Sequence, residues 1–397
     1  MASPRGGLLR DGLGAVALAA VLPFLSVFQL RFVSPEFAAS QAPMMFLLIG
    51  ALVLLGLRVA AEDPPLGLAV VLVALNVLRL PVELPLLTAV WFTAGAAGLV
   101  AARGLPWSAA VAGLRVRPRA LAQSVLVAAG ALEAILLVLT WLGYSGWPWR
   151  LHRDAGTFGH ANHVGWYLAV LTPLAPLWLL PLYFAGLTLA HSLLAVVAAF
   201  VGLTVRFAGL GGRPWRSWAG LLVASSWLSA LGLVVRFAWD KDPGTSQTRL
   251  AAWALGAGDW LRSPLTILAG SGTAAWPIRV PHLQQVHSLT WGLFLQAHNE
   301  LLQALYEHGW LALLLLVWWL GRHRAAWRAT PLAGAAAALG VTTLAGFPLH
   351  LAPTALTGAV VLGLATAPAG PDLDPALEPG ARPPAGDSPR PATEGAD

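Results

Sequence analysis

The chain has 397 residues, of which 57% are hydrophobic and 11% charged, with a formal net charge of +6 and no cysteine. Soluble domains carry about 25% charged residues, so the composition points away from a soluble globular protein, and the missing cysteine excludes disulfides, thiolate chemistry and cysteine metal sites. The positive charge is arginine, with Lys241 the one lysine; its short clusters between apolar runs argue against nucleic-acid binding and fit the positive-inside rule.

In chain order, Arg5 and Arg10 precede an apolar run of about 19 residues, longer than a signal-peptide core, so it reads as a first transmembrane helix. A helical span needs roughly 20 apolar residues. The expected spans are 12–30, 42–60, 66–80, 85–102, 120–142, 162–180, 183–205, 218–236, 309–321, 332–349 and 351–367, the ninth starting earlier, within 299–308. Trp141, Trp147, Trp149, Trp239 and Trp310 flank spans, where an amphipathic ring suits the headgroup level. The expected fold is therefore all-α, a single polytopic membrane domain over 1–367 with about 10–12 transmembrane helices. One large outer loop, 237–308, interrupts it. The tail 368–397, rich in Pro, Ala, Gly and acids, has too few large apolar residues for a core and is expected to be disordered and cytoplasmic.

Basic connections fall at 103–119, 206–216 and 322–328, each expected on the cytoplasmic side. Three spans separate the first two, which would place them on opposite sides. One segment within 162–205 must then be re-entrant, broken or misassigned, and Pro173, Pro176 and Pro181 make a broken helix there plausible. By the charge rule, loop 237–308 faces outside, as does the polar connection 143–161.

Two blocks of the long loop carry polar chemistry. Thr245 to Trp253 reads as a short amphipathic helix on the membrane, with Leu250, Trp253 and Leu261 apolar and Arg249 in its first turn. Arg249 is either an interfacial arginine reaching for headgroups or a fixed guanidinium for a phosphate. The second block, Ala297 to Gly309, runs into a span. At 100° per residue Gln296, Glu300, Gln303 and Glu307 share a face, and such a stripe must face protein, water or a ligand. His298 falls opposite it, so the helix should begin near Asn299 with His298 in the preceding turn. His298 is either a structural histidine before a capped helix or a general base. No metal site is expected. His282, His287 and His298 lack ligand spacing, and His160 and His163, three apart, have no evident third ligand.

Three blocks in fixed order resemble one family. Arg153-Asp154-Ala155-Gly156-Thr157-Phe158-Gly159-His160-Ala161-Asn162 resembles a GTFGNPN segment before a span. Thr248-Arg249 through Trp253, Ser263-Pro264-Leu265 and Gly270-Ser271-Gly272 resemble the R…W…PL.G.G stretch of a large outer loop. Ala297-His298-Asn299-Glu300, Leu302, Glu307 and Gly309 resemble its AHN(D/E).L....E.G end, and Phe347-Pro348-Leu349-His350 extends the likeness, which covers roughly 150–350. The chain thus resembles the O-antigen ligase and polymerase superfamily of bacterial inner membranes.

The resemblance implies an inverting glycosyltransferase that needs no metal, cofactor or nucleotide sugar. Its donor would be a glycan on undecaprenyl pyrophosphate, and its acceptor a hydroxyl of a lipid, glycan or protein. His298 matches the family's catalytic base and Arg249 its pyrophosphate-holding arginine, with Asn162, Asn299, Glu300 and Glu307 in support. Many members also carry an SRG(A) arginine at a helix end; Thr188-Leu189-Ala190-His191-Ser192-Leu193 is the nearest stretch here and has none. Either Arg206 or Arg153 replaces it, or donor binding differs, or activity is lost. Two rivals stand beside this reading: a transporter or flippase of a lipid-linked or small solute, and an inactive scaffold of the same fold. A transporter should place ionisable residues near the bilayer midplane; Arg79, Glu83, Glu133 and His191 are the few candidates.

Overall fold

The computed structural model describes residues 42–79, 83–103, 109–111, 114–116, 118–144, 157–158, 160–208, 243–287, 294–327 and 330–367. The expected spans 12–30 and 218–236, Arg153 and the tail 368–397 lie outside the described residues. The Glu83 side chain lies outside them too. The described chain is α-helical apart from one hairpin, β1 (Ala109–Val111) with β2 (Leu114–Val116). Two of its helices are long and apolar enough to cross a membrane, Arg119–Trp141 and Glu300–Arg322. Five shorter apolar helices accompany them. The difference from the expected ten or more full-length spans lies partly in punctuation: prolines and turns cut several apolar runs into helices shorter than a bilayer needs.

Helices α1 (Ala42–Glu62) and α2 (Pro64–Asn76) form a tight hairpin. Pro64 and Pro65 start α2, where a missing N–H costs nothing, and Gly67 rests directly on Ala60, leaving no room for a Cβ. Helix α3 (Glu83–Arg103) returns to the turn at Asp63, and α4 (Pro118–Trp141) runs away from that end.

Three helices occupy 161–208, where two spans were expected: α5 (Ala161–Leu171), α6 (Leu180–Leu189) and α7 (Leu193–Ala208). Two 3₁₀ turns, Thr172–Leu174 and Leu177–Leu179, separate α5 from α6 at Pro173 and Pro176. Gly165 near the start of α5 meets Ser192 and Ala195 at the start of α7, while Pro173 meets Gly202 farther along, so α5 and α7 run parallel. Helix α6 runs back alongside α4, with Gly186 against Ala134 and the Tyr183 hydroxyl donating to the Val127 carbonyl at 2.7 Å. Four runs, α4 to α7, therefore separate the first two basic connections, and an even number returns the chain to the end it left. The parity conflict in the sequence came from an uncounted short helix. The largest apolar core lies among these helices, around Leu137, Leu168, Leu171, Tyr183 and Leu187.

Residues 243–287 contribute α8 (Pro243–Trp260), α9 (Pro264–Ala269) and α10 (Ala275–Val286). Helix α11 (Glu300–Arg322) follows, then α12 (Pro331–Ala345) and α13 (Ala352–Thr366), with a 3₁₀ turn at Pro348–His350 between the last two. Gly334 of α12 contacts Gly202 of α7 backbone to backbone. Helix α11 is broken at Gly309, whose φ of 66° and ψ of −165° are not helical. This left-handed φ suits a residue without Cβ, and a Cβ at Gly309 or Gly270 would enter the backbone of the other segment. The break frees two carbonyls: Tyr306 O accepts the Ser271 N–H at 2.7 Å and Glu307 O accepts the Gly272 N–H at 3.0 Å. The segment 264–286 is thus docked into the interrupted helix by main-chain bonds.

Candidate functional site

The Asn299 side chain caps α11, accepting the Leu302 N–H at 2.9 Å, so Glu300 is the first helical residue and His298 lies in the turn before it. This is the arrangement expected from the polar stripe. His298 adopts a left-handed backbone, φ 54°, a conformation that costs a residue with a Cβ roughly 1–3 kcal/mol and persists only when its surroundings enforce it. Two bonds to the residue before it do so. The Ala297 N–H donates to Gln303 Oε1 at 3.1 Å, and the Ala297 carbonyl accepts the Trp253 indole N–H at 2.6 Å. Trp253 thereby ties α8 to the His298 turn, one helical turn beyond Arg249.

That tie brings Arg249 and His298 into electrostatic reach of each other. Burial, reinforced by Arg249 and by the nearby His160 and His163, holds the His298 imidazole down at about 4. It is therefore a neutral ring at pH 7. Burial also lowers the Arg249 pKa, though a guanidinium stays charged in any protein. Its Nε is buried without a hydrogen-bond partner among the described residues. A buried donor on a charged group without an acceptor is costly; an anion at this point would satisfy it.

The ring of Phe347 is the hub. His298 lies 4.8 Å from it and His163 5.4 Å, both edge-on, with Trp166 at 5.2 Å. Phe294 flanks His298 at 5.6 Å. His160 is the N-cap of α5; its Nδ1 accepts the Asn162 N–H at 3.2 Å, and its ring is 4.6 Å from that of His163. Asn162 is thus placed at the mouth of the cluster by its backbone. The turn that leads into His160 is itself anchored: Glu133 of α4 accepts the Thr157 N–H and hydroxyl at 2.9 and 2.8 Å.

The remaining residues of the stripe form the support beneath His298. Glu300 accepts the Leu349 N–H at 2.8 Å and pairs with His350 Nδ1 at 3.0 Å. Although burial opposes a charged ring, the Glu300 carboxylate lifts the His350 pKa to about 9. Gln303 reaches both His350 Nε2, at 3.1 Å, and Glu307 Oε1, at 3.0 Å. Glu307 in turn accepts the Ala274 N–H at 2.8 Å, where a second left-handed backbone occurs at φ 55°. Neighbouring side chains on one face of α11 therefore hold both strained residues, and Glu300 and Glu307 serve as fixed acceptors facing protein.

Arg206 does not join this cluster. Its guanidinium donates to the Pro173 and Ala175 carbonyls, at 3.0 and 2.5 Å, capping the break between α5 and α6. That position is one length of α5 away from His160, about 16 Å for 11 residues. Two of the ionisable residues expected of a transporter, Arg79 and Glu133, are engaged elsewhere. Arg79 donates to the Gly270 carbonyl, Glu133 holds the 157 turn, and His191 sits exposed in the turn between α6 and α7. No cluster of three or more His, Cys, Asp or Glu able to hold a metal occurs among the described residues.

Sequence reasoning considered His160 and His163 only as metal ligands, and it gave Gln303 and His350 no role of their own. The signal for Gln303 was its place on the polar stripe; the convergence of His163 and His298 on Phe347 depends on the return of the chain after α12 and has no local signature. No protein-family model matches the chain, and no curated protein matches it.

Proposed function

We propose that the protein is a membrane glycosyltransferase that moves a glycan from an undecaprenyl-pyrophosphate carrier to an acceptor hydroxyl, with His298 as general base and Arg249 holding the diphosphate. The observation that carries this reading is the pairing of a neutral, half-buried imidazole with a buried, incompletely satisfied guanidinium, brought together from positions 249 and 298. The acceptor hydroxyl forms a bond to the anomeric carbon as the bond to the diphosphate oxygen breaks, and the hydroxyl proton passes to His298. Negative charge grows on the leaving diphosphate, and a pre-placed guanidinium in a partly dry site is well suited to stabilise it. Direct displacement inverts the anomeric centre. The apolar residues exposed along α4 and α11, such as Leu132, Ile135, Leu314 and Val317, suit contact with lipid. This reading places the cluster at the outer surface of a bacterial inner membrane, with residues 237–308 outside.

The resemblance of the three sequence blocks adds the substrate class. The clamping roles of Arg79 and Glu133 weigh against a solute path through the bundle. The test is a strain carrying His298→Ala: surface glycan should be lost on a gel while the protein still accumulates in the membrane. Unchanged surface glycan would sink the assignment of His298.

A further inference from the structure

His160 and His163 are unused by this chemistry, yet they stand beside it. Both His163 and His298 contact the Phe347 ring, which keeps them within about 10 Å of each other, roughly a Debye length at physiological salt. Arg249 faces the same space from α8. Three imidazoles and a guanidinium thus gather here. The aromatic rings at their sides, Phe294, Phe347 and Trp166, carry no charge, and the nearest carboxylate on α11, Glu300, is engaged by His350 and the Leu349 N–H. Among the described residues no acid joins this collection of cationic and cation-forming groups, and such a collection is matched by a polyanion.

We propose that His160 and His163 form the second half of the diphosphate site, opposite Arg249, and that filling the site draws a proton onto the pair. This rests on the assignment of a diphosphate donor to the His298 region. The two rings have different parts. His160 Nδ1 accepts the Asn162 N–H, so the ring presents Nε2–H as a donor. Protonating Nδ1 would break its helix cap. His163 then is the ring that takes the proton. With no anion present, burial and the neighbouring His160, at 4.6 Å, oppose a positive charge on it. A bound diphosphate supplies that balance. A proton bound only in the filled state makes affinity rise as pH falls.

Isothermal titration of the full-length, detergent-solubilised protein with inorganic pyrophosphate tests this, run near pH 7 in two buffers of different ionisation enthalpy. Wild type should take up protons beyond those taken up by pyrophosphate in a His163→Gln variant. His163→Gln should bind about tenfold more weakly, the loss of one charge-assisted contact. His160→Asn, at an exposed position and with a side chain that also caps helices, should bind a fewfold more weakly with uptake unchanged. If both variants match wild type while Arg249→Ala loses binding, the histidine pair is overturned and the reading of Arg249 stands. If wild type itself fails to bind, both are overturned. Proton uptake that persists in His163→Gln overturns the assignment of the proton.

Discussion

Two clusters of ionisable residues sit at opposite ends of α11, and they are built in opposite ways. At its C-terminal end Asp63, fully buried between α1 and α2, accepts from Arg103 at 2.8 Å, His323 at 3.0 Å and the Trp319 indole at 3.1 Å. The three donors converge on one oxygen of the Asp63 carboxylate, Oδ2, which balances the charge of Arg103, while Oδ1 is buried without a partner among the described residues. At its N-terminal end Arg249, His298, His160 and His163 gather with no acid among the described residues to answer them. The first cluster joins four segments of chain: α1–α2, α3, α11 and, through the Arg103–Thr366 contact at 3.1 Å, α13. The second joins segments too, but through Trp253, Gln303 and Phe347, leaving the charged groups open. Balanced buried charge holds a fold in register, whereas unbalanced charge that the fold works to maintain is what a ligand completes.

The comparison breaks most visibly at Asp63. Asp63→Ala leaves a buried arginine without its carboxylate and should lower stability by about 3–5 kcal/mol, read as thermal unfolding in detergent, with the rate per folded molecule unchanged. A variant as stable as wild type would show that the closed cluster is not a fold determinant. At the open end, Arg249→Lys should leave stability unchanged and slow glycan transfer about tenfold or more, because a point charge does not replace a forked donor. Normal transfer would return Arg249 to an interfacial role.

The support beneath the open cluster has its own signature. The His350 pKa is raised in the folded chain to about 9, so its contribution to stability is complete below the unfolded value near 6.5 and is lost as pH rises through about 9. Melting temperature should therefore fall across that window, and His350→Gln should flatten the fall; a decline of equal slope in the variant would place its origin elsewhere. The smallest effect is expected from Trp253→Phe, which removes the indole bond to Ala297 and should lower stability by about 1 kcal/mol. A decrease in transfer larger than that destabilisation explains would sharpen the link between α8 and the His298 turn.

The open cluster was more legible in the sequence than the closed one, for physical reasons. Asn299 before a polar stripe announces a cap, and the cap fixes His298 outside the helix. Helical spacing places Glu300, Gln303 and Glu307 on one buried face. Arg103 and His323 lie 40 and 260 residues from Asp63 and share no local pattern with it, so only the packing of helices unites them. The short helices of 161–208 were hidden in the same way. Prolines at 173, 176 and 181 marked a break, but hydropathy does not say whether a broken run continues onward or turns back. Arg206 read as a basic connection residue able to replace the missing arginine, because the carbonyls it caps appear only once that break is folded.

The most direct test of the central claim is the pH dependence of kcat/KM for consumption of a lipid-linked glycan donor by the purified, reconstituted protein. This ratio reports the free enzyme, in which the base must be neutral to accept a proton. Because burial and the neighbouring Arg249 hold His298 at about 4, the ratio should show no decline down through pH 6, rising where donor binding draws a proton onto His163, and should fall only as the pH approaches 4. An acid limb centred near the ordinary histidine value of about 6.5 would contradict the account.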